Sequence, residues 1–302
     1  MRRWIGRALL AWLGWRLFGP EPQPKTNEAQ EHPLRLPGRT VFVGDHEFFI
    51  REAGSADAPP LLLVHGWGDH SLVVWWKIVG KLASKYRVIV PDNRNTGKSD
   101  GLRGRYEIAD VADDLAGIMS ALGIDKAHVA GYSMGGLAAL ELAHRHPDRV
   151  DKLILAGTSA GPARSTLERI VGGTVIVVAR AFNRITRSEV SRARTAYLVN
   201  VGAILPKHIR WAYQEHQNND ADLYWLAGSA INRFDARPWI GRLRHPALVI
   251  INTEDQLMFA ELQYELASLL REAEVVELVG ARHEAPLPHA GHMIRAIEKF
   301  LG

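Results

Sequence analysis

The sequence predicts an α/β fold, a mainly parallel sheet covered by helices on both faces. Three observations carry this. Apolar runs of strand length alternate with longer segments of helical periodicity from Leu61 to Phe300. Two of those runs pass straight into polar, glycine-containing loops. A third, Ala127–Gly131, enters Gly131-Tyr132-Ser133-Met134-Gly135, and an alanine-rich helical pattern leaves it. This G-x-S-x-G pattern belongs to a sharp strand-to-helix turn that lifts a serine hydroxyl to the tip of a sheet. The 302 residues, 47% of them hydrophobic, suit one large domain with an insertion.

The elements follow in order. Residues 1–18 are rich in Trp, Leu and Arg, and their uncharged run from Ala8 to Trp15 is too short to span a bilayer. On a helix, Trp4, Ile5, Ala8, Leu9, Trp12 and Leu13 share one face. That pattern predicts an amphipathic, membrane-associated segment, with a helix packed on the protein's own surface as the alternative. The same stretch also has the charge and length of an export signal, without a small-residue cleavage site. The protein is therefore expected at a membrane, peripherally through its N-terminus, or in the cytoplasm, or exported. Residues 19–37 hold five prolines and read as a linker. Thr40–Val43 and Glu47–Arg51 predict a hairpin around Gly44-Asp45, which makes the sheet mixed. Strands are predicted at Leu61–His65, Arg87–Pro91, Ala127–Gly131, Val150–Ala156, Ala247–Ile251 and Ala273–Val279. Helices are predicted at Leu72–Ala83, Glu107–Leu122, Met134–Arg145, Phe259–Leu270 and Ala290–Phe300. The core is thus residues 38–160 and 246–302.

Residues 161–245 break the alternation. They read as helical, with apolar runs at Val171–Ala181, Tyr197–Leu205, His208–Tyr213 and Leu223–Ile231. Between Gly161 and Arg210, nine Lys and Arg face two Glu, a formal charge of +7. Such a segment is either a solvated helical face or a lid that meets an anionic membrane surface or ligand.

Composition excludes several classes. There is no cysteine, hence no disulfide, thiol nucleophile or thiolate-held metal. The 13 histidines are scattered and no H-E-x-x-H occurs, so no metal site is expected. No phosphate loop and no cofactor motif is present. The net charge of +4 comes without an aromatic-basic nucleic-acid signature, so nucleic acid is not an expected partner.

At the serine turn, Gly131 and Gly135 are expected to relieve crowding, because only glycine lacks a Cβ. The N–H of Met134, first in the following helix, would face an oxyanion formed at Ser133. Around it, Leu61–Val64 runs into His65-Gly66-Trp67-Gly68, and Val88–Val90 into Pro91-Asp92-Asn93-Arg94-Asn95-Thr96-Gly97-Lys98-Ser99-Asp100. With these motifs in this order, the chain resembles the α/β-hydrolase superfamily from Arg39 to Leu301. The resemblance implies the α/β-hydrolase fold with residues 161–245 as an inserted helical cap. It implies a serine nucleophile, then an acid, then a histidine along the chain.

On that pattern Ser133 is the nucleophile. His283, in Gly280-Ala281-Arg282-His283, matches the late histidine loop, with Arg282 where glycine is common. Asp255, in Asn252-Thr253-Glu254-Asp255, matches the acid turn, with Glu254 as its rival. Asn252 replaces a glycine there, a change expected to be tolerated because asparagine visits left-handed angles. The backbone N–H groups of Trp67 and Met134 would form the oxyanion hole. His65, Asp92, Arg94 and Ser99 read as scaffold, His144 and His146 as helix-end residues, and His289 and His292 as solvent-facing. The implied activity is a serine hydrolase cleaving a carboxylic ester, a small molecule with a lipid-derived or apolar acyl group. Acyl transfer or thioester cleavage would use the same three residues, and an idle, membrane-associated binding protein would retain them unused.

Overall fold

A computed structural model describes residue 34 and residues 36–68, 71–102, 104, 106–200, 208, 213 and 221–302. The predicted segment 1–18 and most of the 19–37 linker lie outside the described residues. Eight strands form one sheet: β1 (Gly38–Val43), β2 (His46–Ala53), β3 (Pro60–Val64), β4 (Arg87–Pro91), β5 (Ala127–Tyr132), β6 (Val150–Ala156), β7 (Ala247–Asn252) and β8 (Ala273–Leu278). Their spatial order is β1-β2-β4-β3-β5-β6-β7-β8. The hairpin β1–β2 and the β2–β4 pair are antiparallel, and all later pairs are parallel. The expected mixed sheet is therefore present, with its antiparallel part at one edge.

Period-two alternation explains the two-sided core. Leu62, Val64, Ile89, Val129, Leu153, Leu155 and Val249 point to one face, packed under α2 (Ile108–Ala121), α3 (Met134–Arg145) and α6 (Ala260–Leu269). Leu61, Leu63, Val88, Val90, Ala130, Ile154 and Ile250 point to the other, under α1 (Ser71–Leu82) and α7 (Ala290–Leu301). Both faces being covered, the central strands read as continuous apolar runs in the sequence.

Between β6 and β7 stand α4 (Thr166–Asn200) and α5 (Ala221–Arg233). The apolar run Val171–Ala181 lies within α4, which continues as one helix of 35 residues. Residues 174–200 hold neither proline nor glycine to end the helix. The runs predicted at Tyr197–Leu205 and His208–Tyr213 fall largely outside the described residues. Among the described residues, no helix is long and apolar enough to cross a membrane.

Candidate active site

Ser133 sits between β5 and α3 with φ 54° and ψ −122°. A non-glycine residue at positive φ is strained, and the surroundings hold it there. Its N–H donates to Ala156 O of β6, and its carbonyl accepts from Gly136 N–H and from the Thr158 hydroxyl. The flanking glycines are required by contact. A Cβ on Gly131 would lie 2.3 Å from Gly135 O, and one on Gly135 would lie 2.3 Å from Val64 O. The second contact is with β3 rather than within the turn, so glycine here lets the elbow approach the neighbouring strand.

The structure brings Ser133, His283 and Asp255 together. His283 Nε2 is 3.0 Å from Ser133 Oγ, and its Nδ1 is 2.7 Å from Asp255 Oδ2. A carboxylate accepts only, so Nδ1 carries the proton and Nε2 is left to accept from the serine. The Asp255 side chain is fully buried. Its Oδ1 accepts from the N–H groups of Leu257 and Met258, both at 2.9 Å. Its rival Glu254 is exposed.

Two sequence departures resolve physically. Arg282 and Asn252 both keep negative φ, and the left-handed residue of the late loop is Gly280 at φ 74°. The expected reason for tolerating Asn252 is thus corrected: no left-handed angle is needed there. Its side chain instead packs on Gly157, where a Cβ would come within 2.8 Å of Asn252 Nδ2.

The loop after β3 borders the serine, since a Cβ on Gly66 would stand 3.2 Å from Ser133 Cβ. Among the described residues, neither the Trp67 nor the Met134 N–H has a backbone acceptor. His65 is buried and braces this loop, as expected. Its Nε2 accepts from Asn93 N–H at 2.9 Å, which leaves Nδ1–H to donate to Gly66 O at 2.8 Å. The 92–100 turn is scaffold. Asp92 accepts from Lys98 N–H, Ser99 Oγ bridges Asp92 O and Phe49 N–H, and Arg94 pairs with Asp114. Asn95 takes φ 65°, a left-handed angle that asparagine tolerates. His144 stacks on Trp239 and His146 bonds Asp113 at the end of α3. His292 is exposed and His289 half-buried, and neither joins the serine.

Two supporting residues carried no sequence signal. Gln263 of α6 is fully buried and spans the acid turn, accepting from Asn252 N–H at 3.0 Å and donating to Met258 O at 2.6 Å. The Tyr132 hydroxyl donates to the carbonyl of His283, tying the histidine loop to β5.

Ser133 and His283 open into a cavity of about 420 Å³. Its walls include Trp67, Val74, Tyr224, Leu257, Met258 and Leu287. Trp67 stacks on Tyr224 of α5, with centroids 4.5 Å apart, and donates its indole N–H to Tyr224 O. The inserted segment therefore forms part of the cavity wall through α5. Among the described residues lining it there is no lysine or arginine, and Glu284 is the one carboxylate.

A family model for the alpha/beta hydrolase fold matches residues 59–290. The chain belongs to the α/β-hydrolase fold family. Several known proteins are similar to it. An uncharacterized protein of Mycobacterium tuberculosis is 40% identical over 129 residues, 43% of this chain and 36% of that protein. The chain thus spans little more than a third of the first relatives' length. The 2-hydroxy-6-oxo-6-phenylhexa-2,4-dienoate hydrolase of Burkholderia cepacia is 26% identical over 262 residues, 83% of this chain and 90% of that one. Among solved structures, the enol-lactonase of Burkholderia xenovorans aligns with a TM-score of 0.73 and 27% identity, over 87% of this chain and 99% of its own. A thermophilic esterase of Thermogutta terrifontis aligns with a TM-score of 0.74 and 25% identity, over 88% and 98%.

Proposed function

We propose that this α/β-hydrolase is a serine esterase acting on a carboxylic ester with a neutral, apolar acyl group. The observation that carries the reading is the unbroken hydrogen-bond chain from Ser133 Oγ through His283 to buried Asp255, opening into an apolar cavity. A serine hydroxyl needs a base to become a nucleophile. His283 Nε2 accepts the Ser133 proton as Oγ attacks the ester carbonyl, and Asp255 stabilises the imidazolium formed. The Trp67 and Met134 N–H groups receive the oxyanion. Collapse of the tetrahedral intermediate expels the alcohol, which takes the proton from His283 and leaves an acyl-Ser133. Water then gives a proton to His283 and attacks the acyl group, releasing the acid and restoring Ser133.

The cavity wall supports the acyl preference. An anionic acyl group would lose its water without gaining a cation and would meet Glu284, whereas an alkyl chain is favoured by about 0.8 kcal/mol per buried CH₂. We further propose that residues 1–18 attach the protein to an anionic membrane surface, on the strength of their Trp-rich apolar face and four arginines.

The test compares p-nitrophenyl hexanoate with the p-nitrophenyl half-ester of adipate, using wild type, Ser133→Ala and His283→Ala. The reading expects kcat/KM to favour the neutral ester strongly. It also expects both variants to lose several orders of magnitude. Full activity in His283→Ala alongside loss in His289→Ala would reject the assignment.

A further inference from the structure

Helix α4 is inside out. Leu167, Ile170, Val171, Val175, Val177 and Val178 are between 54% and 70% exposed. At 100° per residue they occupy an arc of about 160° and a length of roughly 16 Å. The opposite arc, which faces the protein, is mostly small or polar, with half-buried Ile176 its one large aliphatic side chain among the described residues. A Cβ on Gly172 would come 2.4 Å from Asn232 Oδ1 of α5. The Arg169 carbonyl accepts from Asn232 Nδ2 at 2.9 Å, its guanidinium reaches Asp235, and Asn183 is buried. An amphipathic helix on a soluble surface has the reverse arrangement. Contiguous exposed apolar area of this kind marks an interaction surface.

Three occupants would cover such a face: a second copy, the chain's own residues 1–18, or a lipid surface. Charge separates them. Helix α4 carries six arginines against two glutamates, and residues 1–18 carry four arginines and no acid. A second α4 or the N-terminal segment would bring cation against cation. An anionic bilayer offers an apolar interior under a negative surface, which complements both segments at once. We infer that the exposed face of α4 is a docking surface for anionic lipid.

The placement links this surface to the cavity. Helix α5 lies between them, with Tyr224 and Ile231 lining the cavity beside Ser133. Its Ser229 and Asn232 line a groove against Ile170, Val177 and Val178 of α4. Docking through α4 would therefore hold the helix that walls the cavity against the membrane. The inference extends the membrane attachment proposed for residues 1–18 but stands on different residues, so the two fail separately.

The experiment uses the full chain and vesicles of phosphatidylcholine with or without phosphatidylglycerol, read by co-sedimentation. One variant is Leu167→Ser/Val177→Ser/Val178→Ser on α4, and another is Trp4→Ser/Trp12→Ser in the N-terminal segment. These α4 positions are exposed and outside the catalytic machinery, so turnover of a soluble p-nitrophenyl ester should be unchanged. The α4 variant should bind phosphatidylglycerol vesicles roughly tenfold or more weakly. Binding of wild type should fall with salt and be weak on pure phosphatidylcholine. Equal vesicle binding by wild type and the α4 variant would overturn the inference. So would a dimeric wild type made monomeric by the α4 changes, which would assign the face to a second copy. Proteolytic release of residues 1–18 in that variant, with vesicle binding kept, would assign it to the chain's own N-terminus. Loss of binding confined to the tryptophan variant would support the N-terminal anchor alone and reject α4. Vesicle binding by a protein that hydrolyses no ester would leave the inference standing and remove the esterase reading.

Discussion

At the residue scale, the neighbouring acids Glu254 and Asp255 separate by environment. Asp255 is buried, bonded to His283 and held by two backbone N–H groups, whereas Glu254 faces solvent. Asp255→Asn should therefore lower kcat by about three to four orders of magnitude, because an amide in that place favours the wrong imidazole tautomer. Glu254→Gln should change kcat little. Steady-state kinetics with the fold checked by circular dichroism reads both, and the reverse ranking would move the acid to Glu254. Much of this site was legible in the sequence, because its residues sit in short motifs whose spacing is dictated by local turns. Gln263 was not legible. A buried glutamine on a helix looks like any polar helical residue until the partner groups, Asn252 N–H and Met258 O, are known to lie opposite it.

At the element scale, Gln263 joins α6 to the end of β7 and to the acid turn. Gln263→Leu strands a buried N–H and a buried carbonyl, at about 1–3 kcal/mol for an unsatisfied group. Urea unfolding should show a loss of roughly that size, with turnover impaired in the protein that remains folded. A second element-scale prediction concerns the antiparallel edge. Glu52 of β2 accepts from Arg87 of β4 at 2.7 Å and from Arg39 of β1 at 2.7 Å. Burial pushes its carboxyl up, but the bonds from Arg87 and then Arg39 outweigh this and hold its pKa below the usual glutamate value. A depressed folded-state pKa stabilises the fold above the unfolded value of about 4.3. That stability is lost as pH falls through the folded value. Glu52→Gln should cost up to about 1 kcal/mol at pH 7, given partial solvent screening. The gap from wild type should close as pH drops below about 4. A gap of constant size from pH 7 to pH 3 would contradict this account. The strands and core helices were readable because buried parallel strands are continuous apolar runs. The bounds of α4 were not readable, because most of its large apolar residues from Leu167 to Val178 are exposed and apolar periodicity there does not report the protein's core.

At the scale of the whole molecule, a rigid two-sided sheet presents the ends of β5, β7 and β8 to one edge, where the serine, the acid and the histidine meet. Helix α5 of the inserted segment then walls one side of the cavity. The membrane attachment proposed for residues 1–18 is a separate layer on this core. A chain beginning at Leu34 should keep kcat/KM on a soluble ester while binding phosphatidylglycerol vesicles more weakly, and equal vesicle binding by both chains would remove the N-terminal anchor. The central claim is that Ser133 is a nucleophile activated by His283. The most direct test is intact-protein and peptide mass spectrometry after exposure to a fluorophosphonate. The account predicts one adduct, on Ser133, formed rapidly in wild type and far more slowly in His283→Ala. A wild-type protein that stays unlabelled, or carries the adduct on another residue, would contradict it.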